Sequence, residues 1–169
     1  MSDQASWPEP EPAFRTGRSA REVDEVDRRI LAELTRDGRL SMRALAERAH
    51  ISRANAYARV DRLMADGVIS GFAAQLDPER AGLGTSAYVL LSIQQNTWRE
   101  VAAALGKLPY IEHFALVGGD FDVLALVRAP DNAALRHIVL ERIQEIEGVR
   151  GTRTWLIFDE HDGQGMAWA

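Results

Sequence analysis

The chain of 169 residues contains no cysteine, which excludes disulfide bridges and thiolate metal sites. Lys107 is its one lysine, so the sequence has no glycine-rich phosphate-binding loop that ends in lysine. It has no apolar run of about 18 residues, and its proline-rich start lacks the apolar segment of a secretory signal. These absences predict a cytoplasmic protein without a membrane partner.

Motifs for catalysis, metals and cofactors are equally scarce. The four histidines are far apart, and no pair has metal-ligand spacing. Residues 82–87 match the glycine spacing of a dinucleotide site, but they precede a predicted strand instead of opening a helix. No serine occupies a nucleophile elbow. The sequence therefore predicts no enzyme, no metal and no cofactor.

Residues 24–71 predict three short amphipathic helices followed by a strand. Asp24, Ser41 and Ser52 each precede a helix and are residue types that cap helix N-termini. Gly38 and Gly67 are expected to end the first and third helices in the left-handed conformation, and residues 68–76 predict the strand. This order is typical of a winged helix-turn-helix, which makes double-stranded DNA the first partner to consider.

The third predicted helix carries the polar side chains that favour DNA. Arg53 and Asn55 are expected to approach base edges, since arginine matches guanine and asparagine matches adenine in the major groove. The helix is expected to bury Tyr57, Val60, Leu63 and Met64. The alternative interpretation is a small helical domain with a solvated polar face.

Phosphate contacts are expected from the same segment. Ser41 and Ser52 lie at helix starts, where free backbone amides attract anions. Arg59 and Arg62 are expected to hold the phosphate backbone, with an ion pair inside the protein as the alternative for Arg59. The net charge is −5, but residues 36–62 hold seven arginines against three acids, and this local positive charge favours DNA.

The second half of the chain predicts a different fold. Residues 77–84 are the expected linker, and residues 85–160 have the pattern strand, helix, strand, strand, helix, strand. That pattern predicts a ferredoxin-like βαββαβ domain, so the whole chain is expected to be α+β. The expected domains are a disordered tail at 1–20, the DNA-binding domain at 21–76, the ferredoxin-like domain at 85–160, and a tail at 161–169.

The predicted strands are apolar on both faces. In the first strand, the face opposite the main apolar side carries Tyr88 and Leu90. In the last strand, the corresponding face carries Trp155 and Ile157. Because helices cover only one face of such a sheet, a second copy related by a two-fold axis is the simplest cover. A homodimer would also place two recognition helices about one DNA turn apart, roughly 34 Å.

A series of short motifs runs from about residue 23 to residue 158: Asp24, Asp27, Arg28 or Arg29, and Ile30-Leu31; Gly38-Arg39; Leu45-Ala46; Ser52, Arg59 and Leu63; Gly67-Val68-Ile69-Ser70-Gly71; Gly119-Asp120-Phe121-Asp122; Gly148-Val149; and Thr152-Arg153-Thr154. In these motifs and in their order, the chain resembles the Lrp/AsnC family of bacterial and archaeal transcription regulators.

The resemblance implies a DNA-binding regulator with a small-molecule effector, usually an amino acid, and dimers that assemble further, commonly into octamers. The implied effector site comprises Gly119, Asp120, Phe121 and Asp122, with Thr152 and Thr154 nearby. Gly119 would offer a backbone amide to a carboxylate, and Asp120 or Asp122 would pair with an α-ammonium. The alternative is a hairpin turn that needs glycine and a structural aspartate.

Two other functions stay open on this fold. Some proteins that resemble the family are haem-precursor decarboxylases, which use histidine and arginine around a tetrapyrrole, and His113 and Arg153 would suit that role. The other is an amino-acid sensing module that no longer binds DNA. The arginines of the third helix favour the regulator over both.

Overall fold

The computed structural model describes residues 22–161 and residue 163. The described chain forms two compact units that divide between Gln75 and Leu76. Within both units, no helix of the described residues is long and apolar enough to cross a membrane. The predicted tail at 1–20 and most of the predicted tail at 161–169 lie outside the described residues.

The amino-terminal unit contains three helices: α1 (Glu25–Arg36), α2 (Met42–Ala49) and α3 (Arg53–Ala65). All three predicted caps are confirmed, since the side chains of Asp24, Ser41 and Ser52 each accept a hydrogen bond from a backbone N–H three residues later. At α1 the Asp27 carboxylate also accepts from the Asp24 N–H, which completes a capping box.

Two features predicted for this unit are wrong. α1 ends at Arg36 with Asp37 as an extended cap, and Gly38 does not adopt a left-handed conformation. Residues 68–76 form no strand in the described chain, because no neighbouring strand there supplies the backbone partners that a strand requires. Gly67, by contrast, ends α3 at φ 70°, as predicted.

The three helices enclose an apolar core of Ile30, Leu31, Leu34, Leu45, Ala49, Val60 and Leu63. In α3 the buried side chains are Ala56, Val60 and Leu63. The burial predicted for Tyr57 and Met64 is wrong, as these are 44% and 46% exposed. Each follows a buried residue by one position, which turns its side chain about 100° away from the core.

A buried carboxylate fastens α3 to the start of α1. Asp27 is fully buried, and its oxygens accept hydrogen bonds from Arg59, at 2.8 Å, and from Arg62. Nη1 of Arg59 also donates to both oxygens of Asp24, at 2.8 and 2.7 Å. Because removing one partner of a buried ion pair costs about 3–5 kcal/mol, these contacts determine how α3 is oriented.

The carboxy-terminal unit contains one antiparallel sheet and helices on one face of it. Its elements are β1 (Thr85–Ile93), α4 (Trp98–Leu105), β2 (Ile111–Leu116), β3 (Val123–Ala129), α5 (Asn132–His137, continued by a π-helical segment, Ile138–Ile143) and β4 (Val149–Ile157). The strand order is β2-β3-β1-β4. The predicted ferredoxin-like βαββαβ arrangement and the α+β class are confirmed.

One face of this sheet is buried and the other is only partly covered. Val89 of β1, which pairs with Ala125 of β3, belongs to the buried face and packs with Val101 and Leu105 of α4. On the opposite face Tyr88 pairs with Trp155 of β4, whose side chain is 53% exposed. The second face therefore carries the large apolar side chains that the strand pattern predicts.

Gly148, which precedes β4, is expected to tolerate no side chain. It adopts φ 95°, and an added Cβ would lie 2.1 Å from Oγ1 of Thr97. Its carbonyl accepts a hydrogen bond from the Gln94 N–H at 2.8 Å, which restrains the backbone. We expect Gly148→Ala to lower the free energy of unfolding by about 2–4 kcal/mol in urea denaturation. The control Gly106→Ala, at φ −63° and with ordinary contacts, should change it by less than about 1 kcal/mol. Equal losses would contradict this explanation.

Asp24 is expected to make stability depend on pH in the acid range. The hydrogen bond from Arg59 and that from the Asp27 N–H lower the pKa of Asp24 from 3.8 to about 2. A carboxylate whose pKa is lowered by folding stabilises the native state above its unfolded-state pKa, and this contribution is lost as the pH falls through the folded-state pKa. We expect the stability difference between the wild type and Asp24→Asn to be full well above pH 3.8, to fall with pH, and to disappear only below about pH 2.

Urea denaturation at several pH values measures this difference. Asp61→Asn is the control, since Asp61 is an exposed residue of α3 that makes no ion pair with any described residue. A difference for Asp24→Asn that is equally large at both ends of the pH range would show that this stabilisation does not depend on the charge of Asp24.

Candidate nucleic-acid interface and ligand site

The first turn of α3 presents a cation, an aromatic ring and an amide to solvent. Arg53 and Asn55 are exposed, and the guanidinium carbon of Arg53 lies 5.7 Å from the centre of the Tyr57 ring. A guanidinium over an aromatic face is held by the ring's quadrupole. Ala54 and Ala58 between these side chains are small and exposed, which lets another surface approach the helix closely. Sequence reasoning missed Tyr57, although its spacing of four residues from Arg53 is the signal for this contact.

Asn55 is oriented by the residue one turn further along α3. Nε of Arg59 donates to Oδ1 of Asn55 at 3.0 Å. Arg59 is itself held by Asp24 and Asp27, and these hydrogen bonds raise its pKa above the ordinary value. Arg62 is bound to Asp27 in the same way. Both arginines thus have carboxylate partners inside the protein, and for Arg59 this is the alternative interpretation given above. A contact of either arginine with phosphate stays a prediction.

Most of the other arginines in this region are also paired. Arg36 and Arg48 both contact Glu33, and Arg43 contacts Glu47. Of the seven arginines in residues 36–62, only Arg39 and Arg53 make no ion pair with a described residue. Within residues 36–62, the arginines without an acidic partner among the described residues therefore lie at the start of α2 and at the start of α3.

The two capping serines lie at the same helix starts. Oγ of Ser41 accepts from the Ala44 N–H and Oγ of Ser52 accepts from the Asn55 N–H, each at 3.2 Å. Both serines are exposed. Each hydroxyl keeps its own proton, which can be donated to a phosphate while the oxygen caps the helix.

The turn predicted as the effector site connects β2 to β3 in the other unit. Gly119 has φ 138°, a conformation that favours glycine, and Asp120 beside it is exposed. Asp120 makes no hydrogen bond or ion pair with the described residues. Phe121 is half-buried, and the guanidinium of Arg153 lies 5.3 Å from the centre of its ring. Sequence reasoning linked Arg153 only to the enzyme alternative, since nothing local places β4 next to this turn.

Asp122 has a structural role in this turn. Its Oδ2 accepts from the Ile93 N–H at 2.8 Å, and its own N–H donates to the Leu91 carbonyl at 2.9 Å. The side chain therefore attaches the turn to the end of β1. Of the two aspartates predicted to pair with an ammonium, Asp120 is the one whose carboxylate is unoccupied by described residues.

Thr152 and Thr154 lie on β4, two strands away from β3. Thr152 pairs with Leu91, which pairs with Val123, so it is level with the turn and about 10 Å from it across the sheet. Its Oγ1 accepts from Gln144 Nε2 at 3.1 Å. Thr154 is two residues further along the strand. The structure therefore brings Thr152 closer to the turn than Thr154.

The residues required by the enzyme alternative are not brought together within the chain. His113 is exposed on β2 and Arg153 lies on β4, three strands apart and so about 14 Å across the sheet. The described residues also contain no group of three or more acids and histidines that would hold a metal ion.

Comparison with known proteins covers both units. The winged helix-turn-helix DNA-binding family matches residues 23–70, and the Lrp/AsnC ligand binding domain matches residues 86–165. The chain is 36% identical over 148 residues to the HTH-type transcriptional regulator AldR of Mycolicibacterium smegmatis, which covers 85% of this chain and 86% of that protein. It is 34% identical over 146 residues to the leucine-responsive regulatory protein of Escherichia coli K12, which covers 85% of this chain and 89% of the relative.

Solved structures show the same likeness. The feast or famine regulatory protein from M. tuberculosis complexed with L-methionine superposes with a TM-score of 0.80 at 30% identity, covering 88% of this chain and all of that one. A transcriptional regulator from Neisseria meningitidis in complex with L-methionine gives a TM-score of 0.78 at 28% identity, covering 84% of this chain and 94% of that one. The amino-terminal unit is thus a DNA-binding domain and the carboxy-terminal unit a ligand-binding domain, and the chain belongs to the Lrp/AsnC family of effector-responsive transcription regulators.

Proposed function

We propose that this regulator binds a double-stranded operator as a homodimer through the start of α3, and that an amino acid bound near Asp120 changes its DNA binding or its oligomeric state. The proposal depends on one observation: Arg53 is the arginine of α3 that forms no ion pair with a carboxylate of the described chain. Action on an operator places the protein in the cytoplasm with the chromosome.

The free cations and helix starts support specific contacts with DNA. Arg53 presents a guanidinium that matches the O6 and N7 acceptors of guanine, and its contact with the Tyr57 ring limits where that guanidinium lies. Arg39, Ser41 and Ser52 stand at the two exposed helix starts, where phosphate oxygens are favoured. We assign Arg59 and Arg62 chiefly to the orientation of α3.

Arg53→Ala is expected to weaken binding to the operator selectively. The loss should be roughly 1–3 kcal/mol on the specific site, while weak binding to unrelated duplex DNA stays largely intact. Gel-shift titrations at one fixed salt concentration measure both, using the DNA upstream of the protein's own gene. Arg43→Ala is the control, because Arg43 is exposed and already paired with Glu47. Equal losses on both DNAs would exclude a base contact by Arg53.

The same titration tests the regulator as a whole. A specific shift that a pool of amino acids alters supports both the operator and the effector. A specific shift that the pool leaves unchanged supports the operator alone. Binding no stronger than to unrelated DNA would contradict action at that promoter.

The effector proposal depends on free groups around the turn between β2 and β3. An amino acid needs an anion for its ammonium and a donor for its carboxylate. Asp120 supplies the anion, the unobstructed Gly119 amide supplies a donor, and Phe121 supplies an apolar neighbour. Arg153 over Phe121 adds a second group for a carboxylate, and Thr152 is level with the turn. The L-methionine in the two related structures supports an amino acid as the ligand class.

Asp120→Asn is expected to abolish the response to the amino-acid pool without changing DNA binding in its absence. The amide keeps the shape of the side chain but removes the charge that pairs with an ammonium. Gel shifts with and without the pool measure the response, and Glu100→Gln, on exposed α4 surface, is the control. An unchanged response in Asp120→Asn would exclude this carboxylate from the effector site.

The partly covered sheet face supports a homodimer. Tyr88 and Trp155 form a cross-strand aromatic pair on that face, beside Leu124 and Leu126 of β3, and a second copy would remove these side chains from water. Further assembly of the dimers into octamers is consistent with the family, and the octamer is the larger species to look for in the measurement of mass.

Trp155→Glu is expected to dissociate the dimer, because an unpaired carboxylate buried in the interface is strongly unfavourable. Light scattering on the eluting protein should give a multiple of 18.8 kDa for the wild type and the monomer mass for the variant. Leu140→Glu is the control, since Leu140 is 51% exposed, close to the 53% of Trp155, but lies on the helical side. A Trp155→Glu variant with the wild-type mass would contradict this interface.

A further inference from the structure

We infer that Asn55 reads a base that offers hydrogen-bond acceptors in the major groove, above all guanine, and does not make the two-bond contact with adenine that its residue type suggests. The inference rests on the proposed function, since it specifies which base the start of α3 selects. It depends on the orientation of one side-chain amide.

Recognition of adenine by asparagine requires both ends of the amide. Oδ1 must accept a hydrogen bond from the adenine N6 amino group while Nδ2 donates to N7. Both atoms must therefore point away from the helix, in the plane of the base. An asparagine whose oxygen points back at its own helix does not meet this requirement.

The oxygen of Asn55 points at its own helix. Nε of Arg59 lies 3.0 Å from Oδ1 of Asn55. Arginine carries only donors, so the atom facing it must be the amide oxygen, and the reverse orientation would place two donors against each other. The positions of Oδ1 and Nδ2 therefore follow from chemistry, and Nδ2 with its two N–H donors is the end of the amide turned away from Arg59.

Arg59 is held too firmly to move aside. Its Nη1 donates to both oxygens of Asp24 and to Oδ1 of Asp27, at 2.7–2.8 Å, and Asp27 is fully buried. To turn its oxygen outward, Asn55 would have to give up the hydrogen bond from Nε of Arg59 and leave that donor to water. Arg59 is thus a positioning residue for Asn55.

Arg53, the other residue of α3 expected to contact bases, also presents hydrogen-bond donors. Arg53, two positions earlier, offers only N–H donors. Guanine presents two acceptors to the major groove, O6 and N7, whereas adenine presents the N7 acceptor beside an amino donor. Two side chains in one helical turn that both turn N–H donors outward therefore favour guanine and disfavour adenine, whose amino group would face an N–H.

Selection of binding sites from a random duplex library, with the wild type and Asn55→Ala in parallel, tests this inference. We expect one position to be enriched in guanine by the wild type and to lose that preference in Asn55→Ala. Replacing this guanine by 7-deazaguanine, which lacks the N7 acceptor, should weaken wild-type binding roughly 5- to 100-fold and leave Asn55→Ala nearly unchanged. The same replacement at a guanine that does not depend on Asn55 should weaken both proteins equally.

Three results would overturn the inference. Enrichment of adenine at the position that depends on Asn55 would show that the side-chain amide rotates to turn Oδ1 toward the base, while the proposed function would stand. Identical preferences in the wild type and Asn55→Ala would show that Asn55 reads no base, again with the regulator intact. Failure of the wild type to enrich any sequence would instead overturn the operator proposal together with this one.

Discussion

The buried carboxylate of Asp27 is the group on which the geometry of the DNA-binding unit depends. It lies in the first turn of α1, where it completes a capping box, and it accepts hydrogen bonds from Arg59 and Arg62 of α3. A carboxylate in that position is tolerated only with such partners, because the desolvation of an unpaired charge costs several kcal/mol. The ion pairs therefore determine which side of α3 packs inward and which side meets solvent.

This arrangement separates arginines that maintain the fold from arginines that are available to DNA. The basic segment 36–62 appears uniformly suited to phosphate in sequence, but the described structure neutralises five of its seven arginines with acids of the same unit. What remains exposed at the start of α3 is specific in chemistry: Arg53 against Tyr57, and Asn55 with its oxygen occupied. A small number of oriented donors favours selectivity over general attraction to the DNA backbone.

The ligand-binding unit also contains one charged residue that maintains the fold and, two positions away, one that is free. Asp122 bonds to the backbone of β1 and so maintains the turn, whereas Asp120, two residues earlier, is exposed and without a partner in the described chain. The β-sheet register then brings Thr152 level with the turn, and Arg153 lies over Phe121. The hydrogen bonds of Asp122 thus attach the turn to the sheet, while the carboxylate of Asp120 stays exposed to solvent.

Sequence alone was sufficient for features that depend on neighbours within a few residues. The three helix caps, the left-handed Gly67 and the βαββαβ order were all predicted, because capping, periodicity and turn conformation are local. The end of α1 before Gly38, the absence of a strand at 68–76 and the exposure of Tyr57 required the structure. So did the partners of Arg59 and Asp122, which lie 32–35 and 29 residues away along the chain. Whether a charged side chain is neutralised or free depends on what tertiary folding places beside it, and residue type does not contain that information.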